Sequence, residues 1–169
     1  EFVRTSTNFY TISVHKQDQD GSVTTLKTFL TTTLASAPTE TSKPMIVQLK
    51  DGSLLVCYFD YVSGTEVNLY SWRSYDQGTT WKQISRRAMD VPISVGSSNY
   101  NIENTSLVVS DDSLVLFVSL NRPWSTAYGN ECRQYISRDQ GASFQYVGGA
   151  LSETYHMTAA MSLPGGKIG

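Results

Sequence analysis

Ser74-Tyr75-Asp76-Gln77-Gly78-Thr79-Thr80-Trp81 is the stretch on which the fold turns. An Asp carboxylate can accept backbone N–H groups inside a tight turn, as in Asx-turns. Gly78 permits the left-handed backbone that such a turn needs. Trp81 then opens the next strand and can pack beneath the turn. Sixty-three residues on, Ser137-Arg138-Asp139-Gln140-Gly141-Ala142-Ser143-Phe144 repeats the pattern. A turn repeated with its strands serves a repeated structure, so Ser74, Asp76, Gly78, Thr80 and Trp81, with Ser137, Asp139, Gly141 and Phe144, read as structural. Catalysis by Asp76 or Asp139 is the weaker alternative.

A second motif recurs in phase with the first. Leu49-Lys50-Asp51-Gly52-Ser53-Leu54-Leu55 aligns with Val109-Ser110-Asp111-Asp112-Ser113-Leu114-Val115, 60 residues later. Leu163-Pro164-Gly165-Gly166-Lys167-Ile168-Gly169 opens a third copy after a further 54. Between these turns, apolar residues alternate or run in short stretches bounded by Gly, Asp, Asn and Ser, which is the strand pattern. One unit predicts strands at Met45–Leu49, Ser53–Phe59, Val67–Arg73 and Trp81–Ser85. The next predicts Thr105–Val109, Ser113–Ser119, Cys132–Ser137 and Phe144–Val147. Four antiparallel strands per unit make the blade of an all-β propeller.

The ends read as partial blades. Phe9–Val14 and Val23–Phe29, joined at Asp20-Gly21, look like strands three and four of an earlier blade. Met157–Ser162 and Lys167 onward look like strands one and two of a later one. One propeller domain over 1–169 then divides into an end of blade with its connection (1–43), two full blades (44–103 and 104–156) and the start of the next (157–169). About three blades' worth of strands cannot close a ring, since propellers use roughly four to eight. A six-bladed ring is expected, its other blades supplied in cis or by a second copy.

Composition narrows the partners. In 169 residues, 13 Lys and Arg against 15 Asp and Glu leave a net charge of −2, which excludes the basic face of a nucleic-acid binder. The longest apolar runs, such as Leu54–Phe59, fall far short of the roughly 18 residues of a membrane span, so no membrane insertion is expected. Glu1-Phe2-Val3-Arg4 carries no leader pattern, so a leader was removed or the chain is an excised piece. Cys57 and Cys132 could pair once, but both sit in apolar strand patterns and read as buried thiols. Asn104-Thr105-Ser106 fits the glycosylation acceptor pattern. Few charges, many Ser and Thr and ten Tyr lean toward an exported, sugar-handling protein, extracellular or at the cell surface. Asp18-Gln19-Asp20-Gly21 resembles part of a calcium loop, but Lys16 and Lys27 stand at its first and last ligand positions. His15 and His156 lack zinc-spaced partners. No cofactor or metal is expected.

The octet resembles the Asp-box, or BNR repeat, of sialidases and related propellers, and the resemblance covers nearly the whole chain. It implies a β-propeller that recognises or processes glycans. Asp-boxes also occur in arabinan hydrolases, xyloglucan hydrolases and sorting receptors. The sialidase pattern itself is not matched, because the place of its Arg-Ile-Pro segment holds Ser42-Lys43-Pro44. The place of a second Arg holds Phe59-Asp60-Tyr61, with Asp60 near the family's acid/base Asp. The family's Tyr nucleophile and Glu partner would lie beyond Gly169.

Blade topology sends the octet turns to one end of the sheets. The longest connections, Asp60–Thr65, Leu120–Asn130, Leu30–Lys43 and Arg86–Glu103, go to the other. Long loops on a rigid scaffold carry binding residues. Arg122, Trp124 and Tyr128, with Tyr61 and Tyr100, are therefore the candidate glycan contacts, and inter-loop packing is the alternative for the aromatic rings. Asp60 and Glu103 are the candidate catalytic carboxylates. Three functions remain open: a glycan-recognising or glycan-processing propeller, an active exo-glycosidase of sialidase or arabinan-hydrolase type, and a protein-binding or structural propeller such as a receptor ectodomain or assembly subunit.

Overall fold

A computed structural model describes residues 2–4, 9–32, 43–63, 66–95, 100–121 and 130–152. The described residues form antiparallel sheets and no helix. The first sheet is β1 (Phe2–Arg4), β2 (Phe9–Gln17) and β3 (Val23–Thr32), paired in that order. The second is β4 (Met45–Gln48), β5 (Leu54–Ser63), β6 (Glu66–Ser74) and β7 (Lys82–Ser85), with β8 (Ile93–Ser94) also on β6. The third is β9 (Asn101–Ser110), β10 (Ser113–Asn121), β11 (Asn130–Ser137) and β12 (Gln145–Ser152). Each sheet is a blade of a β-propeller.

Alternation along the strands explains the packing, because successive side chains leave opposite faces of a sheet. Leu55, Cys57 and Phe59 face the third blade and bury against Leu114, Leu116, Val118 and Leu120. Val56 and Tyr58 leave the other face and bury against Ile12 and Phe29 of the first blade. The core is thus two blade interfaces. The first strands β4 and β9 lie side by side, which orders the blades around an inner edge.

Several details depart from the repeat as read. β1 adds a strand in front of β2, so the first blade has three described strands. Most strands run longer than their apolar cores: β9 starts at Asn101 and β5 reaches Ser63. The turn motif aligns without gaps in sequence, but five residues (49–53) separate the Gln48–Leu54 pair while four (110–113) separate Val109–Leu114. Gly52, at φ 83°, supports the longer turn. The outer strand of the second blade is split. β7 pairs with the far half of β6, and β8 pairs with Glu66 and Val67 at its start. Between them the chain crosses to the third blade, where Phe144 N–H donates to Ala88 C=O and Asp90 N–H donates to Phe144 C=O. Buried Asn68 secures that crossing, accepting Met89 N–H at 2.9 Å and donating to Met89 C=O at 3.0 Å. The strands expected within 157–169 lie outside the described residues.

Candidate functional site

The two octet turns share one set of bonds. Asp76 Oδ1 accepts Thr80 N–H at 2.8 Å, and Oδ2 accepts the Thr80 hydroxyl. Asp139 Oδ1 accepts Ser143 N–H at 2.8 Å, and Oδ2 accepts the Ser143 hydroxyl. The Ser74 and Ser137 hydroxyls each accept the N–H of the turn glycine, at 2.7 and 2.9 Å. Gly78 and Gly141 sit at φ 92° and 93°. A Cβ on either would meet the preceding blade, Leu26 at 2.5 Å and Leu55 at 2.7 Å. Every carboxylate oxygen of both turns is engaged in shaping the turn. The hydrogen bonds from Thr80, its hydroxyl above all, hold Asp76 below the usual carboxylate range. For Asp139, partial burial opposes the shift, and the Ser143 and Ser137 bonds outweigh it.

The opposite end of the blades is different. Hairpin pairing makes Tyr58–Tyr70 and Asp60–Asn68 of the second blade the counterparts of Val118–Arg133 and Leu120–Glu131 of the third. Asp60 therefore occupies the place of a fully buried leucine, and it is itself only 6% exposed. Burying a carboxylate costs free energy that an aliphatic side chain would not. Asp60 Oδ1 accepts Tyr61 N–H at 2.8 Å. Beside it, the rings of Tyr58 and Tyr70 stack at 5.7 Å, and Trp72 Nε1–H donates to the Tyr58 hydroxyl at 3.2 Å. Burial pushes the Tyr58 phenol up to about 12, and the Asp60 charge adds to the rise. Tyr70 is raised by burial and then by Asp60, with Arg86 and Arg87 pulling the other way. Asp60 thus sits where two tyrosines feel its charge.

Glu103 stands at an irregularity. Ile102 pairs with Leu120 and Asn104 with Ser119, so Glu103 is the extra residue of a β-bulge in the innermost strand β9. Bulges re-aim a side chain and are common beside active sites. Glu103 Oε1 accepts Asn121 Nδ2–H at 2.7 Å. Asp60 and Glu103 come from different blades at the same end. Tyr61 and Tyr100 are brought together more directly, both packing on the interface between the second and third blades. Arg122, Trp124 and Tyr128 lie outside the described residues.

Sequence reasoning passed over the Glu131–Arg133 pair. Arg133 Nε donates to Glu131 Oε1 at 2.7 Å, and the two side chains are 16% and 11% exposed. The guanidinium carbon lies 5.2 Å from the Tyr100 ring centroid. Burial works to lower the arginine's pKa, but its hydrogen bond to Glu131 and that carboxylate's charge hold it above the ordinary value. The signal was present in the repeat: charged residues stand where the second blade has Asn68 and Tyr70.

A cavity of about 370 Å³ opens at the turn end, lined by Lys50, Asp51, Asp111, Asp112 and Arg138 among others. Two of its charges are already answered, Lys50 by Asp112 and Asp51 by buried Arg73, so the loop end is the stronger candidate. Cys57 and Cys132 are both free thiols. Cys57 is buried, and Cys132, expected to be buried as well, is only partly so because its face of β11 has no described blade against it. Asn104 lies within β9 and its Oδ1 accepts Thr105 N–H at 2.9 Å.

No protein-family model and no curated protein matches the chain. Solved structures do. The α-L-arabinanase of Penicillium chrysogenum, complexed with arabinobiose, superposes over 95% of this chain at TM-score 0.62 and 12% identity. The GH93 α-L-arabinofuranosidase of Fusarium graminearum, also with arabinobiose, covers 87% at 0.55 and 13%. A Hadza microbial sialidase covers 75% at 0.52 and 15%. The chain spans 48%, 41% and 31% of those three structures, less than half of each. At such identities the likeness shows the fold, a β-propeller shared with glycosidases.

Proposed function

We propose that this chain is part of a glycan-processing β-propeller that holds a neutral, arabinan-type glycan at the loop end of its blades. The observation that carries the reading is Asp60, a buried carboxylate in a place where the next blade keeps leucine. Its position at the strand ends, beside tyrosines, suits a group that gives a proton to a glycosidic oxygen. Glu103, aimed by its bulge, is the second carboxylate that glycoside hydrolysis requires. The absence of an Arg at Ser42-Lys43-Pro44 favours a neutral sugar over sialic acid. Remaining blades come from the same polypeptide in cis, or from a second copy, to complete a ring of about six. The protein works outside the cell or on its surface, where polymeric glycan is met.

The test is hydrolysis of linear arabinan oligosaccharides and of a chromogenic sialoside by the intact protein, alongside Asp60→Asn. Arabinose or arabinobiose should be released, and Asp60→Asn should slow release by about 100-fold or more, as loss of a general acid does. Preference for the sialoside would overturn the sugar assignment. A folded protein that neither binds nor cleaves any glycan on an array would instead be a protein-binding or structural propeller.

A further inference from the structure

We infer that Arg133 and Glu131 are positioning residues that set the Tyr100 ring as a stacking wall for the glycan, an inference that rests on the glycan reading above. Residues two apart on a strand share a face, so β11 places both side chains on the face toward the second blade. Two contacts, Nε to Oε1 at 2.7 Å and Nη2 to Oε2 at 3.4 Å, fix the guanidinium plane. That plane is brought to 5.2 Å from the Tyr100 centroid, within cation–π range. Tyr100 in turn is pinned at its backbone, its N–H donating to Ser94 C=O at 3.2 Å immediately before β9 and the Glu103 bulge.

Stability alone does not account for this pair. Replacing a buried ion pair with apolar residues is often neutral or stabilising. The fold also makes room for it on the neighbouring strand: a Cβ on Gly149 of β12 would stand 3.3 Å from Glu131 Oε1 and 3.0 Å from the Tyr146 hydroxyl. A glycine, an acid and an arginine on two strands thus converge behind one aromatic ring at the mouth of the blades.

The experiment is a double-mutant cycle on arabinobiose affinity, measured by calorimetry on the intact protein, with melting temperatures recorded in parallel. Arg133→Met should weaken binding about tenfold. The double variant Glu131→Leu/Arg133→Met, which removes both charges together, should do the same without lowering the melting temperature. Arg133→Lys, which keeps a cation but loses the fork to Glu131, should fall between. In a Tyr100→Ala background, Arg133→Met should cost nothing further, because the arginine acts through the ring. Unchanged affinity in both Arg133 variants, or an equal loss with Tyr100 removed, overturns the inference while leaving the glycan reading intact. Should Arg133→Met fail to fold, Arg133→Lys decides the matter by the same cycle. A wild-type protein that binds neither arabinobiose nor any other glycan overturns both.

Discussion

The second and third blades are built to one plan and differ where the plan is interrupted. Both carry the same octet turn, bonded in the same way, and both bury alternate residues of their second strand against the preceding blade. At the turn end the second blade adds a clamp: Arg73 donates to Asp51 and, at 2.9 Å, to Ser53. The third blade has Ile136 in place of Arg73 and no such clamp there. The octet bonds and this clamp hold the turns of their own blade in shape. At the loop end the exchange runs the other way, with Asp60 in the second blade against Leu120 in the third. That carboxylate accepts Tyr61 N–H in its own strand, and the third blade has no carboxylate at the matching place. The comparison teaches that a polar residue kept by the repeat, or answered at the turn end as Arg73 is, is structural, while one that breaks the repeat at the loop end is the candidate for chemistry.

The largest expected effect probes the shared turn. Phe144 is fully buried, while Trp81 at the matching place is only half-buried, its indole N–H donating to Gly78 C=O at 2.8 Å. Phe144→Ala should cost about 3–5 kcal/mol in denaturant unfolding. Trp81→Ala should cost clearly less, and equal losses would show that the turns are not anchored differently. Next comes the broken repeat. Asp60→Leu restores the residue of the third blade and should stabilise the protein by roughly 0.5–2 kcal/mol while abolishing glycan turnover. Destabilisation with activity retained would make Asp60 a structural residue.

A smaller effect is expected from pH. Both turn aspartates titrate below their ordinary value of 3.8 in the folded protein. A depressed carboxylate stabilises the fold above its unfolded pKa, and that contribution is lost as pH falls through the folded value. Asp76→Asn and Asp139→Asn should each flatten the stability profile below about pH 4 and leave its shape above pH 5 unaltered. A change confined to neutral pH would contradict the bonding described. The smallest effect concerns the thiols. Burial pushes Cys57 up to about 12, whereas Cys132 is raised less and is partly open. A disulfide-exchange reagent at pH 8 should leave Cys57 unlabelled until the protein unfolds. Labelling of Cys57 in the folded protein would contradict its burial between the second and third blades.

Propeller architecture was legible because its signals are local and repeated. Octets 63 residues apart declare hairpins, and hairpins with alternating strands between them declare blades. The bonding of Asp76 and Asp139 is equally local, since partners four residues away are within reach of a short carboxylate. Asp60 and Glu103 could be picked out as carboxylates near strand ends. That Asp60 takes a buried leucine's place, and that Glu103 is the extra residue of a bulge, follows only from register. Strand register depends on which residues pair across the sheet, and a shift of one exchanges the two faces. The split outer strand, the Asn68 crossing and the Glu131–Arg133 pair behind Tyr100 likewise join residues far apart in the chain. Sequence determined the repeating unit, because each turn closes on itself within eight residues. Tertiary structure decided what meets at the mouth, because those contacts exist only once strands distant in the chain pair in register and the blades pack.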